Sequence, residues 1–182
     1  MAEKKATVTF DAIMRDLKSG KYAPVYILMG DESYYIDRIT DYIAENVLEP
    51  DDRDFNQTVV FGADTTAAQV VDMAKGYPVM PAAHRVVIVK EAQGLKSLDA
   101  LERYFEKPLA STLLVIAYKN GTIDRRKKVV GKAEAVGVVF ESKKKRDYEL
   151  PTFIETYLKK NHVAIDPKSA AMIAEHIGAD LS

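Results

Sequence analysis

The sequence predicts an α/β fold: a three-layer domain around a five-stranded parallel sheet, followed by the beginning of a small helical domain. Three observations predict it. Five short apolar runs, at 25–29, 54–62, 85–92, 112–118 and 137–142, alternate with segments whose apolar residues recur three and four apart. The third run, RVVIVKEA, is apolar almost throughout, as in a strand covered on both faces of a parallel sheet. After KKKRDYELP only helical spacing continues. The division expected is therefore an α/β domain over 1–146 and the start of a helical domain over 147–182. Right-handed crossovers place the ligand-facing edge of such a sheet at the carboxyl ends of its strands.

In chain order, Phe10, Ile13, Met14 and Leu17 share one helix face, with Thr9 as its cap and Gly20 as its stop. This helix is expected to pack against the first strand, VYILM. Gly30 turns the chain into a second helix carrying Ile36, Ile39 and Ile43. Glu49-Pro50-Asp51-Asp52 marks a break, and DFNQTVVFG reads as a strand with Phe55, Val59 and Phe61 among its apolar positions. Asp64 is placed to cap a helix over 65–75, with Ala67, Val70, Val71 and Ala74 inward and Gly76 as its end. Beyond RVVIVKEA come a helix over 97–106, the strand TLLVIAY, a basic helix over 124–135 and the strand GVVFES. Phe153, Ile154, Tyr157 and Leu158 then form one amphipathic helix. Ala170, Ile173, Ala174 and Ile177 form another, opened by Asp166-Pro167 and closed at Gly178. Asp180-Leu181-Ser182 resembles the cap of a further helix, so the sequence reads as a fragment of a longer protein.

Composition narrows the function classes. A chain of 182 residues that is 47% hydrophobic can bury a substantial core. It has no cysteine, which excludes disulfides, thiolate metal sites and a thiol nucleophile. No apolar run approaches the roughly 20 residues of a membrane span, and MAEKKATVTF lacks the apolar core of a signal peptide. The expectation is a cytoplasmic protein without membrane contact. His84, His162 and His176 lack ligand spacing, and there is no G-x-S-x-G elbow.

The turn at Gly30 stands where many α/β domains cradle a phosphate. Counted from Gly30 as the first glycine of G-x-x-x-x-G-K-[ST], Tyr35 replaces the second glycine, Ile36 the lysine and Asp37 the hydroxyl residue. Asp31 and Glu32 add negative charge where the anion would sit. After VVIV, Lys90 stands where an active P-loop ATPase places a metal-binding aspartate. These substitutions describe a degenerate nucleotide site and predict that no cofactor is bound there. An enzyme-class alternative uses the carboxylates Asp31, Glu32 and Glu91, all at predicted strand ends, as a magnesium-dependent phosphoryl or receiver-like site.

Two further segments stand out. In Tyr77-Pro78-Val79-Met80-Pro81 the two prolines prevent extension of the preceding helix or the following strand. The loop either presents Val79 and Met80 outward or tucks them beneath the sheet. Residues 119–146 hold ten basic residues against three acids, in a chain of net charge −1. Arg125, Arg126, Lys127 and Lys128 are candidates to face DNA, weakly, unless the run is simply a solvated helix face.

PVYILMGDESYYIDR, DTTAAQVVDMAKGYPVMPAAHRVVIVKEAQGL and ALERYFEKPLASTLLVIAYK together closely resemble the delta subunit of the bacterial DNA polymerase III clamp loader. The resemblance spans about residues 10–182. It implies a P-loop-related, AAA+-like domain without ATPase activity, followed by a helical lid domain. It further implies a carboxy-terminal collar, absent here, that joins the subunit to other clamp-loader subunits; without it a monomer is expected. Such a subunit is not an enzyme. It opens the DNA sliding clamp (beta) in replication by placing an exposed apolar pair from the loop before the third strand into a pocket on the clamp. That loop matches 77–81, with Val79 and Met80 as the pair and Tyr77, Pro78 and Pro81 around it. Val-Met departs from the family's leucine-phenylalanine pattern.

Overall fold

The computed structural model describes residues 8–177, so the helix stop expected at Gly178 and the cap expected at 180–182 lie outside the described residues. Backbone proximity divides the chain into two compact units, Met1–Ser142 and Lys143–Ser182.

The first unit is built on five parallel strands, β1 (Val25–Gly30), β2 (Gln57–Phe61), β3 (Arg85–Lys90), β4 (Thr112–Lys119) and β5 (Val138–Ser142). Their order across the sheet is β2-β3-β4-β1-β5. Successive side chains on a strand point to opposite faces, and the core follows this parity. Val25, Ile27 and Met29 join Val87, Val89, Leu114 and Ile116 on one face. Tyr26 and Leu28 join Val86, Ile88, Leu113 and Val115 on the other. The register aligns Ile27 with Ile116 on one side and with Val139 on the other. Every residue of β1 is buried, as a strand covered on both faces requires.

Helices cover both faces. α1 (Phe10–Lys18) and α2 (Ser33–Asn46) lie on the even-residue face of β1. Thr9 Oγ1 accepts the Ala12 N–H at 3.2 Å and so caps α1. Ile36, Ile39 and Ile43 are fully buried, each contributing about 1.5–3 kcal/mol by removal from water. α4 (Ala67–Ala74), α5 (Asp99–Phe105) and α6 (Lys128–Val136) cover the opposite face. The result is the three-layer α/β domain expected.

Three local expectations are corrected. DFNQTVVFG does not run as one strand: α3 (Arg53–Asn56) makes a single helical turn before β2 begins. Phe55, on the helical turn, is 69% exposed, and Val59 and Phe61, on β2 at the edge of the sheet, are 44% and 50% exposed. The cap of α4 is Thr66 rather than Asp64. Thr66 and Gln69 form a reciprocal capping box, with Asp64 in the preceding 3₁₀ turn. α6 begins at Lys128 rather than 124, since Asp124 closes a turn in which its carbonyl accepts the Lys127 N–H at 2.9 Å.

In the second unit α7 (Leu150–Lys160) and α8 (Pro167–Ile177) pack on one another. Asp166 caps α8 by accepting the Ser169 N–H at 3.0 Å, and Pro167 takes the first helical position, where no N–H is required. No helix among the described residues is long and apolar enough to cross a membrane.

Candidate functional site

The two segments singled out by their sequence lie at opposite ends of the strands. The loop at 77–81 precedes β3 and therefore belongs to the amino edge of the sheet, whereas Gly30 ends β1 at the carboxyl edge.

At the amino edge, Tyr77, Val79 and Met80 are 72%, 51% and 82% exposed. Pro81 is also exposed, and Pro78 is half-buried. Of the two arrangements open to the loop, the structure therefore shows the outward one. The backbone beneath is fastened. Asn56, only 1% exposed, donates from Nδ2 to the Val79 carbonyl at 3.0 Å. Its Oδ1 accepts the Val79 N–H at 2.6 Å. The Ala82 N–H closes a turn onto the Val79 carbonyl at 3.2 Å, across a cis Met80–Pro81 bond. Releasing the loop would leave a buried amide unpaired, at a cost of about 1–3 kcal/mol per group. At the stem, the buried Tyr104 hydroxyl donates to the Ala74 carbonyl at 3.2 Å, holding the end of α4. Apolar side chains thus stand in water on a backbone with little freedom.

At the carboxyl edge the turn after β1 is occupied by the chain's own contacts. Gly30 has φ +135°, and a Cβ there would stand 1.9 Å from the Ser142 carbonyl oxygen of β5, so only glycine fits. Glu32 Oε1 accepts the Tyr34 N–H at 3.1 Å, using an amide at the start of α2 that a phosphate would otherwise take. Tyr35 packs its ring 4.9 Å from that of Phe10. Burial, with the charge of Glu32 adding to it, pushes the Tyr35 hydroxyl up to about 12. Ile36 is fully buried in the core.

Asp37 lies 2.7 Å from Lys119 Nζ, which also reaches Glu91 at 3.4 Å. Partial burial works against the Lys119 ammonium, but the hydrogen bond and charge of Asp37, together with Glu91, raise its pKa above the ordinary lysine value. Glu91, in a left-handed conformation of φ 50°, also accepts from Gln93 Nε2. Lys90, at the position compared with the aspartate of a P-loop ATPase, faces Asp41 at 3.8 Å. The edge is therefore closed by its own ion pairs.

The acidic alternative does not assemble. Glu32 serves as a helix cap while Glu91 is held by Lys119. Among the described residues no group of three or more His, Asp or Glu could hold a metal ion. The strand order also differs from the 2-1-3-4-5 of receiver domains.

Half of the basic candidates are spoken for within the chain. Arg125 bridges Glu134 at 3.0 Å and Glu141 at 3.1 Å. Arg126 forks onto Asp124, which it holds below the ordinary carboxylate range. Lys127 and Lys128 are exposed at the start of α6. Lys132 is likewise matched, by Glu102 and Glu106 at 2.9 and 2.7 Å.

Sequence reasoning missed Asn56 and Lys119 as organisers of the two edges. Asn56 was hidden in an apolar run read as strand, and its partner lies 23 residues away. Lys119 counted only as one member of a basic run.

The model of the DNA polymerase III, delta subunit family matches residues 26–143. DNA polymerase III subunit delta of Bacillus subtilis (strain 168) is 26% identical over 185 residues, covering 96% of this chain and 53% of that protein. The solved Bacillus subtilis DNA clamp loader delta protein superposes with a TM-score of 0.74 at 25% identity, over 91% of this chain and 51% of that one. The chain spans about half the length of each of these relatives. The family match takes in well over half of the chain, including nearly all of the parallel sheet, and on that ground the chain belongs to the DNA polymerase III delta subunit family, with an α/β fold shared with the Bacillus subtilis delta protein.

Proposed function

We propose that this chain is the clamp-contacting part of a delta subunit. It binds the ring-shaped sliding clamp through Val79 and Met80, flanked by Tyr77, Pro78 and Pro81, and holds the ring open without binding or hydrolysing ATP. The observation that carries the reading is the pair of exposed apolar side chains on a fastened loop. Such a loop loses little conformational freedom on docking, and methionine adapts to irregular pockets.

Burial of two medium apolar side chains supplies roughly 3–6 kcal/mol before association costs, whereas a nanomolar complex needs about 12 kcal/mol. Tyr77 and the prolines supply the remainder of the contact, as the surround of a hot spot does. Opening follows from differential affinity: a loop that binds the open ring more tightly shifts the ring's equilibrium towards opening. The carboxyl edge plays no part in this chemistry, since the amide at the start of α2 and the Lys119 charge are both matched internally. In this reading the subunit works in the cytoplasm, 143–182 opens the lid domain, other clamp-loader subunits join the full-length protein, and DNA contact through Lys127 and Lys128 is weak.

Because the chain has no cysteine, Ala83→Cys, at an exposed position beside the loop, accepts a single environment-sensitive dye. Titration with the sliding clamp of the same source is expected to shift its emission to the blue and to saturate. Emission that stays unchanged throughout the titration contradicts the reading.

A further inference from the structure

The apolar loop owes its outward pose to one residue outside it. Val79 offers both its backbone N–H and its backbone carbonyl to Asn56, at 2.6 and 3.0 Å, and an amide side chain is the group whose adjacent donor and acceptor match that pair. Asn56 is itself buried, at 1% exposed, and ends the helical turn α3 immediately before β2, so its backbone is tied to the sheet at the first β2–β3 pair, Gln57 with Val86. The Asn56 anchor and β3, into which the loop runs, thus hold the loop against the same sheet edge. The two bonds from Asn56 reach the loop from 23 residues away, whereas the Ala82 N–H bond to the Val79 carbonyl is local.

We infer that Asn56 is the positioning residue of the clamp-binding loop: by fixing the Val79 backbone it keeps Val79 and Met80 in the one conformation that docks, and so sets the association rate with the clamp. The inference rests on the clamp-binding reading of this loop. Asn56 touches no partner; it acts through Val79. When only a fraction of molecules carries a docking-competent loop, the apparent affinity falls by that fraction. Loss of Asn56 therefore slows association. Loss of the Val79 and Met80 side chains removes docked contacts and instead speeds dissociation.

The test compares wild type with Asn56→Ala and Asn56→Asp in two measurements, clamp-binding kinetics and amide hydrogen exchange at Val79. For Asn56→Ala, association is expected to slow by about tenfold or more, with Val79 exchanging faster and the helices of the first unit exchanging as in wild type. Asn56→Asp covers the case in which the alanine variant does not fold. It keeps the acceptor for the Val79 N–H and regains a donor when its carboxyl protonates, an event that burial moves up towards neutral pH. Its defect relative to wild type is expected to shrink between about pH 7 and pH 5. Unchanged association or unchanged Val79 exchange in folded Asn56→Ala, or wild-type association of Asn56→Asp at pH 7, overturns the inference and leaves the clamp reading standing. A wild-type chain that fails to bind the clamp overturns the clamp reading, and the role of Asn56 in setting clamp association falls with it.

Discussion

Tyr35 shows how one residue helps to close the turn that follows β1. Counted from Gly30 it falls where a phosphate-loop pattern would have its second glycine, and its ring packs at a tilt against that of Phe10 with the charge of the buried Glu32 near its hydroxyl. Its hydroxyl is raised to about 12, by burial first and then by the Glu32 charge, against an ordinary value of 10.0 in the unfolded chain. The folded state therefore favours the neutral phenol. That contribution to stability is complete below about pH 10 and is lost as pH rises through 12. Tyr35→Phe should flatten this loss, so that urea midpoints at pH 9 and pH 11 lie closer together than in wild type. Equal separation would show that the Tyr35 hydroxyl is not held neutral by the fold. The glycine-lysine substitutions at this turn were legible in the sequence because a phosphate loop is a local pattern. Asn56 was not, since nothing near an asparagine reveals a partner 23 residues away.

Among the elements, the central strands could be read from their apolar runs. Strands buried on both faces need no further information to be recognised. β2 shows where that reasoning stops. Its apolar residues look like core in sequence, yet an edge position leaves Val59 and Phe61 exposed, and edge position is a property of strand order; Phe55, read as part of the same strand, stands exposed on the helical turn before it. The start of α4 was misplaced by two residues because Asp64 and Thr66 are both competent caps, and only the reciprocal bond from Gln69 decides between them. The prediction at this scale is a contrast in stability. Phe55→Ser should shift unfolding free energy by no more than about 0.5 kcal/mol, whereas Ile39→Ala, at a fully buried position of α2, should cost about 2–5 kcal/mol. Chemical denaturation of the two variants checks it. A large loss at Phe55 would mean that the helical turn α3 packs its phenylalanine against the rest of the chain.

For the molecule as a whole, the division of labour runs along the strands. The carboxyl edge, where α/β sheets ordinarily bind ligands, is locked by the ion pairs of Lys119 with Asp37 and Glu91. The amino edge, ordinarily the quiet one, carries the exposed apolar loop. Family membership was legible in the sequence because several weakly marked segments occur together in the right order. The outward pose of the loop was not, because the same five residues are compatible with Val79 and Met80 either facing water or tucked beneath the sheet, and the bonds from Asn56 that fasten the backbone come from 23 residues away. The most direct measurement is surface plasmon resonance of this chain on the immobilised sliding clamp of its own source. It compares wild type, the double variant Val79→Ser with Met80→Ser, and Lys119→Ala. The account predicts at least ~100-fold weaker binding for the folded loop variant, from the apolar area removed, and wild-type affinity for Lys119→Ala. Undiminished binding by the loop variant, or binding lost with Lys119, would place the contact at the wrong end of the sheet and contradict it.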